Sequence, residues 1–169
     1  MSGHFSKAVE FTLQWEGGYS NEQHDSGGET MFGVTKNNHP ELWNDGPPTK
    51  DQAKQLYYRD YWNHRRVQAG SIEYLHTAVY LFDCAVNHGP VRAAQMLQKA
   101  CNRTGKNITV DGWVGSKTRD AIFWTPPKKM INNFVLERVE TYAGLVNHNR
   151  KLDKFLLGWI NRAISIFDL

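Results

Sequence analysis

The chain has 169 residues, enough for one domain of ordinary size and for a core that needs no disulfide or metal staple. Hydrophobic residues make up 40% and charged ones 22%, the balance of a globular rather than a disordered chain. The 20 Lys and Arg against 17 Asp and Glu leave a net charge of +3, too mild for a nucleic-acid binder, in which basic residues cluster.

Helical periodicity dominates from the start. Phe5, Val9, Thr12, Leu13 and Glu16 share one face of a first helix, which Gly17-Gly18 should end because glycine takes the left-handed cap conformation readily. Residues 19–48 lose the period and are rich in Gly, Asn, Asp, Ser and Pro, which predicts a long loop or a small strand-containing lobe. Thr49-Lys50-Asp51-Gln52 reads as a capping box opening a helix to about Asn63. Ser71 to His88 is apolar nearly all round and predicts a central buried helix, stopped by Gly89-Pro90. A helix follows from Val91 to about Asn102, then a turn-rich connection and a short helix from Lys117 to Phe123. Thr125 is placed to cap a long helix beginning at Pro126-Pro127, striped by Ile131, Phe134, Val135, Val139, Tyr142 and Val146. Lys154 to about Phe167 closes the chain as an amphipathic helix. The expected fold is mostly α: a single domain of six to eight helices with a small irregular or β lobe near the N-terminus.

Cys84 and Cys101 have neither the number nor the spacing of a disulfide framework or a zinc site, so both are expected to be reduced core residues. The first residues show no secretory signal, and the most apolar stretch, Tyr74 to Val86, is broken by His76 and Asp83 and too short to span a bilayer. The expectation is a monomer made in the cytoplasm without stable membrane insertion. The seven His are scattered, so no metal and no cofactor is expected.

Two features stand out as candidates for chemistry. Glu16 lies on the apolar face of the first helix, at its C-terminal end. Burial and the negative end of the helix dipole both disfavour a carboxylate, which is what a general acid near neutral pH requires. The alternative is that Glu16 bends outward at a frayed end and is solvated. The second feature is the Gly-rich loop from Asp25 to Thr35, whose Asp25, Glu29, Thr30 and Thr35 offer acceptors and hydroxyls where backbone can approach a ligand. Alone it reads equally as a hairpin whose glycines satisfy turn geometry. Together, Glu16 in an apolar setting and Asp25 in a polar loop form a pair with divergent environments, as glycosidic cleavage needs. Asp83 and Asn87, four residues apart on the apolar central helix, must be hydrogen-bonded if buried. Asp83 reads best as a brace, and Asn87 reads equally as a brace or as part of a cleft floor. His88 reads as structural.

The segments Trp15-Glu16-Gly17-Gly18-Tyr19-Ser20-Asn21, Asp25 to Thr35, Tyr61-Trp62 and Phe82 to Gly89 resemble glycoside hydrolase family 108, lysozyme-like N-acetylmuramidases that are often phage or prophage endolysins. Leu97 to Ala100, Val110 to Gly115 and Phe155 to Arg162 resemble the companion peptidoglycan-binding region of these proteins. The resemblance implies a lysozyme-like catalytic region over 1–90 and a peptidoglycan-binding-like helical region over 91–169 packed into the same globule. It implies Glu16 as the catalytic acid, with Asp25 and Thr30 beside it. Tyr19, Asn21, Tyr61, Trp62 and Asn87 are then the candidate substrate-binding residues, and glycan strands of peptidoglycan the partner. One departure concerns Asp25: T-even phage lysozymes place a threonine after five intervening residues, whereas four separate Asp25 from Thr30. This leaves open whether Asp25 is a base or nucleophile, a binding residue or a loop brace.

The expected activity is hydrolysis of the β-1,4 bond between N-acetylmuramic acid and N-acetylglucosamine, at the wall after holin-type or other release. A lytic transglycosylase and a non-catalytic wall-binding or secretion-associated protein remain as alternatives. The aromatic content, 12% of the chain, divides accordingly: N-terminal aromatics should border the cleft, and Trp113, Trp124 and Trp159 should mostly be buried.

Overall fold

The computed structural model describes residues 3–20 and 28–169. The first helix, α1 (Gly3–Glu16), buries Phe5, Ala8, Val9, Phe11 and Thr12 and ends at Gly17, whose φ of +71° is the left-handed cap conformation. A two-residue antiparallel hairpin follows, β1 (Thr30–Met31) and β2 (Val34–Thr35), pairing Thr30 with Thr35 and Met31 with Val34. The helix α2 (Lys50–Tyr57) opens with both bonds of the capping box formed between Thr49 and Gln52. It runs on into a π-helical turn over Tyr58–Trp62, in which Asn63 N–H donates to the Tyr58 carbonyl.

At the centre is α3 (Leu75–His88), with every side chain from Thr77 to Ala85 buried. It starts later than the apolar pattern from Ser71 predicts, because Ala69–Ser71 forms a separate 3-10 turn and Ile72 is extended. Gly89 at φ +82° separates it from α4 (Pro90–Arg103), which buries Ala94, Met96, Leu97 and Cys101. Then come α5 (Ser116–Phe123), the long α6 (Pro127–His148) and α7 (Asp153–Ile164). Thr125 does not cap α6. Its hydroxyl donates back to the Ala121 carbonyl, at 2.7 Å, and closes α5 instead.

The described residues therefore form a mostly α fold of seven α-helices with one small hairpin, as the periodicity predicts. A single core joins the two halves of the chain. Phe82 on α3 meets Phe5, Tyr57 and Trp62 edge-on, and Tyr80 meets Phe134 of α6 at 5.0 Å. Cys84 and Cys101 are both free and buried in it. No helix among the described residues is long and apolar enough to cross a membrane.

Candidate active site

Glu16 is the last residue of α1, and its side chain is only 20% exposed. Its Oε1 accepts a 2.7 Å bond from Nη2 of Arg162, which comes from α7 at the far end of the chain. A guanidinium donates and never accepts, so Oε1 is committed as an acceptor. The other oxygen, Oε2, faces the tip of the hairpin: a Cβ at Gly33 would stand 2.9 Å from it.

The hairpin tip is shaped by two successive positive φ angles, Phe32 at +51° and Gly33 at +74°. That is the turn type whose twist matches a two-residue hairpin. Phenylalanine adopts it only against strain of the order of 1 kcal/mol, so neighbouring contacts must hold it. One is Tyr57, whose hydroxyl donates to the Phe32 carbonyl at 2.8 Å. A Cβ at Gly33 would lie 2.3 Å from that hydroxyl, so only glycine fits between Tyr57 and Glu16. Val34, fully buried, anchors the tip from beneath. Burial, with the Glu16 charge adding to it, pushes the Tyr57 hydroxyl far above its ordinary range, so it remains a hydrogen-bond donor.

Behind Glu16 lies a buried ionic network. Asp83, wholly buried on α3, accepts from Thr12 Oγ1 at 2.9 Å, Arg138 Nη1 at 2.7 Å and Arg162 Nη2 at 2.8 Å. Burial pushes its carboxyl up, but Arg138 and Arg162 overcome this and hold it at about 2. Arg138, from α6, also donates to the Tyr142 hydroxyl at 2.8 Å, and that hydroxyl donates to Asn87 Oδ1 at 2.9 Å. Arg162 is therefore the link between Asp83 and Glu16. A buried charge must be paired, and this arrangement satisfies Asp83 while fixing Arg162 against the carboxyl of Glu16. Asp83 is the brace its position predicts. His88 belongs behind the site as well: burial, then Arg138 and Arg92, push its imidazole down to about 3, which keeps it neutral.

The other candidate residues are placed unevenly. Asn21 and Asp25 lie outside the described residues. Thr30 pins the loop: its backbone pairs with Ser20 in both directions at 2.9 Å, and its hydroxyl donates to the Gly28 carbonyl at 3.3 Å. Tyr19 is 54% exposed and donates to Glu29, which Lys36 also binds at 2.7 Å. Lys36 and Tyr19 hold the Glu29 carboxyl below its ordinary value. Tyr61 is half-buried at the edge of the Tyr57 ring, and burial raises its hydroxyl, with the Asp60 and Glu16 charges adding to the effect. Asn87 has its oxygen bonded on the inside by the Tyr142 hydroxyl, while the residue itself is exposed near the end of α3.

Trp62 is a correction. It is 2% exposed, packed against Phe5 and Phe82, and has no free face for a sugar ring. The π-helical turn carries it inward while Tyr61 remains half-exposed. The C-terminal tryptophans are a second correction. Trp113 is 40% exposed and Trp124 is 72% exposed, and Trp159 is only half-buried. Trp113 sits in a turn, where the Arg66 guanidinium covers its ring at 4.5 Å instead of the core.

The sequence reading missed Arg138 and Arg162. Their signal was present: each interrupts an apolar stripe, Arg138 between Val135 and Tyr142, Arg162 between Trp159 and Ile166. No group of three or more His, Cys, Asp and Glu side chains converges among the described residues.

Comparison with known proteins matches both halves of the chain. Residues 9–89 match the family Glycosyl hydrolase 108, and residues 92–164 match the Predicted Peptidoglycan domain. Among solved structures, the chain is similar to SagA of Brucella abortus, at 27% identity and a TM-score of 0.75, over 97% of this chain and 91% of that one. No curated protein is a significant match.

Proposed function

We propose that this chain, which belongs to glycosyl hydrolase family 108 and carries a predicted peptidoglycan domain, hydrolyses the β-1,4 bond between N-acetylmuramic acid and N-acetylglucosamine. The observation that carries this reading is the carboxyl of Glu16, one oxygen bound to Arg162 and the other facing the hairpin tip.

In this reading Glu16 is the general acid. Its proton leaves from Oε2, since Oε1 is occupied by a donor, and passes to the glycosidic oxygen as the bond breaks. The oxocarbenium-like centre that develops is met by Asp25, or by a water that Asp25 orients. Arg162 fixes the orientation of the acid, and Tyr57 with Gly33 fixes the floor beneath it. Tyr19, Asn21, Tyr61 and the exposed side of Asn87 bind the sugars, and Thr30 holds the loop that carries Asp25. The enzyme works on glycan strands at the wall after release from the cytoplasm.

The test is release of reducing sugar from purified cell walls by the wild type and by Glu16→Gln. General acid catalysis contributes about 10²–10⁴-fold, so the variant should lose at least that order of rate while keeping its fold. Equal rates would remove Glu16 from the mechanism.

A further inference from the structure

The helix α7 is apolar on both of its faces. Its inner face buries Arg162 and Ala163, and the 3-10 turn that follows, Ser165–Asp168, buries Ile166. Its outer face carries Leu157, Ile160 and Ile164, at i, i+3 and i+7, which is one stripe of a helix. Leu157 is 72% exposed and Ile164 46% exposed, with Ile160 half-buried between them. Phe167, 52% exposed, continues the apolar surface past the end of the helix. A surface helix ordinarily turns polar residues to water. The helix α4 does so with Arg92, Lys99 and Arg103. Between Phe155 and Phe167, by contrast, Asn161 is the only exposed polar side chain.

Charges frame this stripe. Arg150, Lys151 and Lys154 are exposed at its N-terminal end, and the Lys154 ammonium lies 4.9 Å from the centre of the Phe155 ring. At the other end Lys128 of α6 shares a cleft with Phe167. Against these four basic residues the same stretch sets two acidic ones, Asp153 and Asp168. Long basic side chains lay their stems along apolar surface and hold their charges at its rim.

An apolar stripe edged by Lys and Arg is the pattern of a helix that lies in the headgroup region of a bilayer. No helix among the described residues is long and apolar enough to cross a membrane, so the contact is with its surface. A second copy of the chain would meet this face with the same excess of positive charge, whereas anionic lipid supplies the opposite sign. Arg162 lies about 150° round the helix from the stripe, so a docked α7 still holds Arg162 against Glu16.

We propose that the outer face of α7 is a peripheral docking surface for an anionic phospholipid bilayer. Leu157, Ile160, Ile164 and Phe167 enter the boundary between headgroups and acyl chains, while Arg150, Lys151, Lys154 and Lys128 meet the lipid phosphates. The surface is distinct from the chemistry of Glu16 and does not depend on it.

The test is sedimentation of the full chain with vesicles and without cell wall, so that the catalytic reading does not enter. One set of vesicles is phosphatidylglycerol with phosphatidylethanolamine, the other phosphatidylcholine alone. The chain should bind the anionic vesicles and lose that binding as salt is raised. Leu157→Asp with Ile164→Asp, at exposed positions that leave the core intact, should weaken binding by more than about tenfold with the circular dichroism spectrum unchanged. Lys151→Gln with Lys154→Gln leaves the stripe in place and should weaken it by about fivefold for each charge lost. Equal binding to the two kinds of vesicle, or full binding by the folded Leu157 and Ile164 variant, would overturn the proposal. So would a dimer of the wild type in analytical ultracentrifugation that the same variant abolishes, since a second copy would then own the face.

Discussion

Asp83 never meets solvent, yet it organises the residues around Glu16. Two arginines and a threonine converge on it, so its charge is satisfied only when α1, α6 and α7 are all in place. Removing that charge leaves Arg138 with no carboxylate and Arg162 with Glu16 alone, and Asp83→Asn should cost about 3–5 kcal/mol, measured by denaturant unfolding. Acid should act at the same place. The Asp83 carboxyl ionises at about 2 in the fold against an ordinary 3.8, so the unfolded chain binds more protons between these values. Its contribution, about 2 kcal/mol, is complete above about pH 5 and is lost as pH falls toward 2. His88 acts in the same direction at higher pH. It stays neutral down to about 3 in the fold but charges near its ordinary 6.5 when unfolded, so its share is lost as pH falls from 6.5 toward 3. The denaturation midpoint should therefore fall steadily from pH 7 to pH 2. His88→Asn should flatten the upper part of that decline; a midpoint that stays level between pH 7 and pH 4 would contradict the burial assigned to His88.

Among the elements, the β1–β2 hairpin is the one most tightly tied to Glu16. Gly33→Ala would drive a Cβ into the Tyr57 hydroxyl and toward Glu16 Oε2 at a positive φ that alanine resists. The expected outcome is a loss of stability of about 1–2 kcal/mol together with a larger fall in wall hydrolysis, since the carboxyl is displaced as well. Tyr57→Phe keeps the ring and removes only the bond to Phe32, so it should slow hydrolysis less than Gly33→Ala does. The helices were legible in the sequence because their signals are local: the capping box at Thr49, the glycine stop after Glu16, and the mostly apolar run of α3. The hairpin tip was only partly legible. Gly33 announces a turn, but nothing local puts Phe32 at a positive φ; the Tyr57 hydroxyl, 25 residues away, does that. Arg138 and Arg162 were missed for the same reason, since they lie 55 and 79 residues from Asp83. The C-terminal tryptophans misled because residue type was read as burial, and Trp62 misled in the opposite sense, as a surface for sugars. Trp62 turned inward through a π-helical turn that periodicity does not encode, and Trp124 stayed outside at the end of α5.

At the scale of the whole molecule, the two matched segments do not form independent bodies. Arg138 and Arg162 come from the second and, through Asp83, complete the network behind Glu16, which comes from the first. A fragment of residues 1–90 would leave Asp83 without either arginine and the face of α3 that packs on α4 and α6 uncovered, so it should fail to fold cooperatively and show no hydrolysis. Adding residues 91–169 in trans should restore activity only to the extent that the two pieces associate, which circular dichroism and wall lysis would follow together. A fragment 1–90 that folds and cleaves walls alone would contradict this shared construction. The central claim, hydrolysis at the muramic acid linkage with Glu16 as the acid, is tested most directly by mass spectrometry of digested peptidoglycan. The account predicts fragments ending in reducing N-acetylmuramic acid from the wild type and none from Glu16→Gln. Fragments ending in 1,6-anhydro-muramic acid, or identical fragments from both proteins, would contradict it.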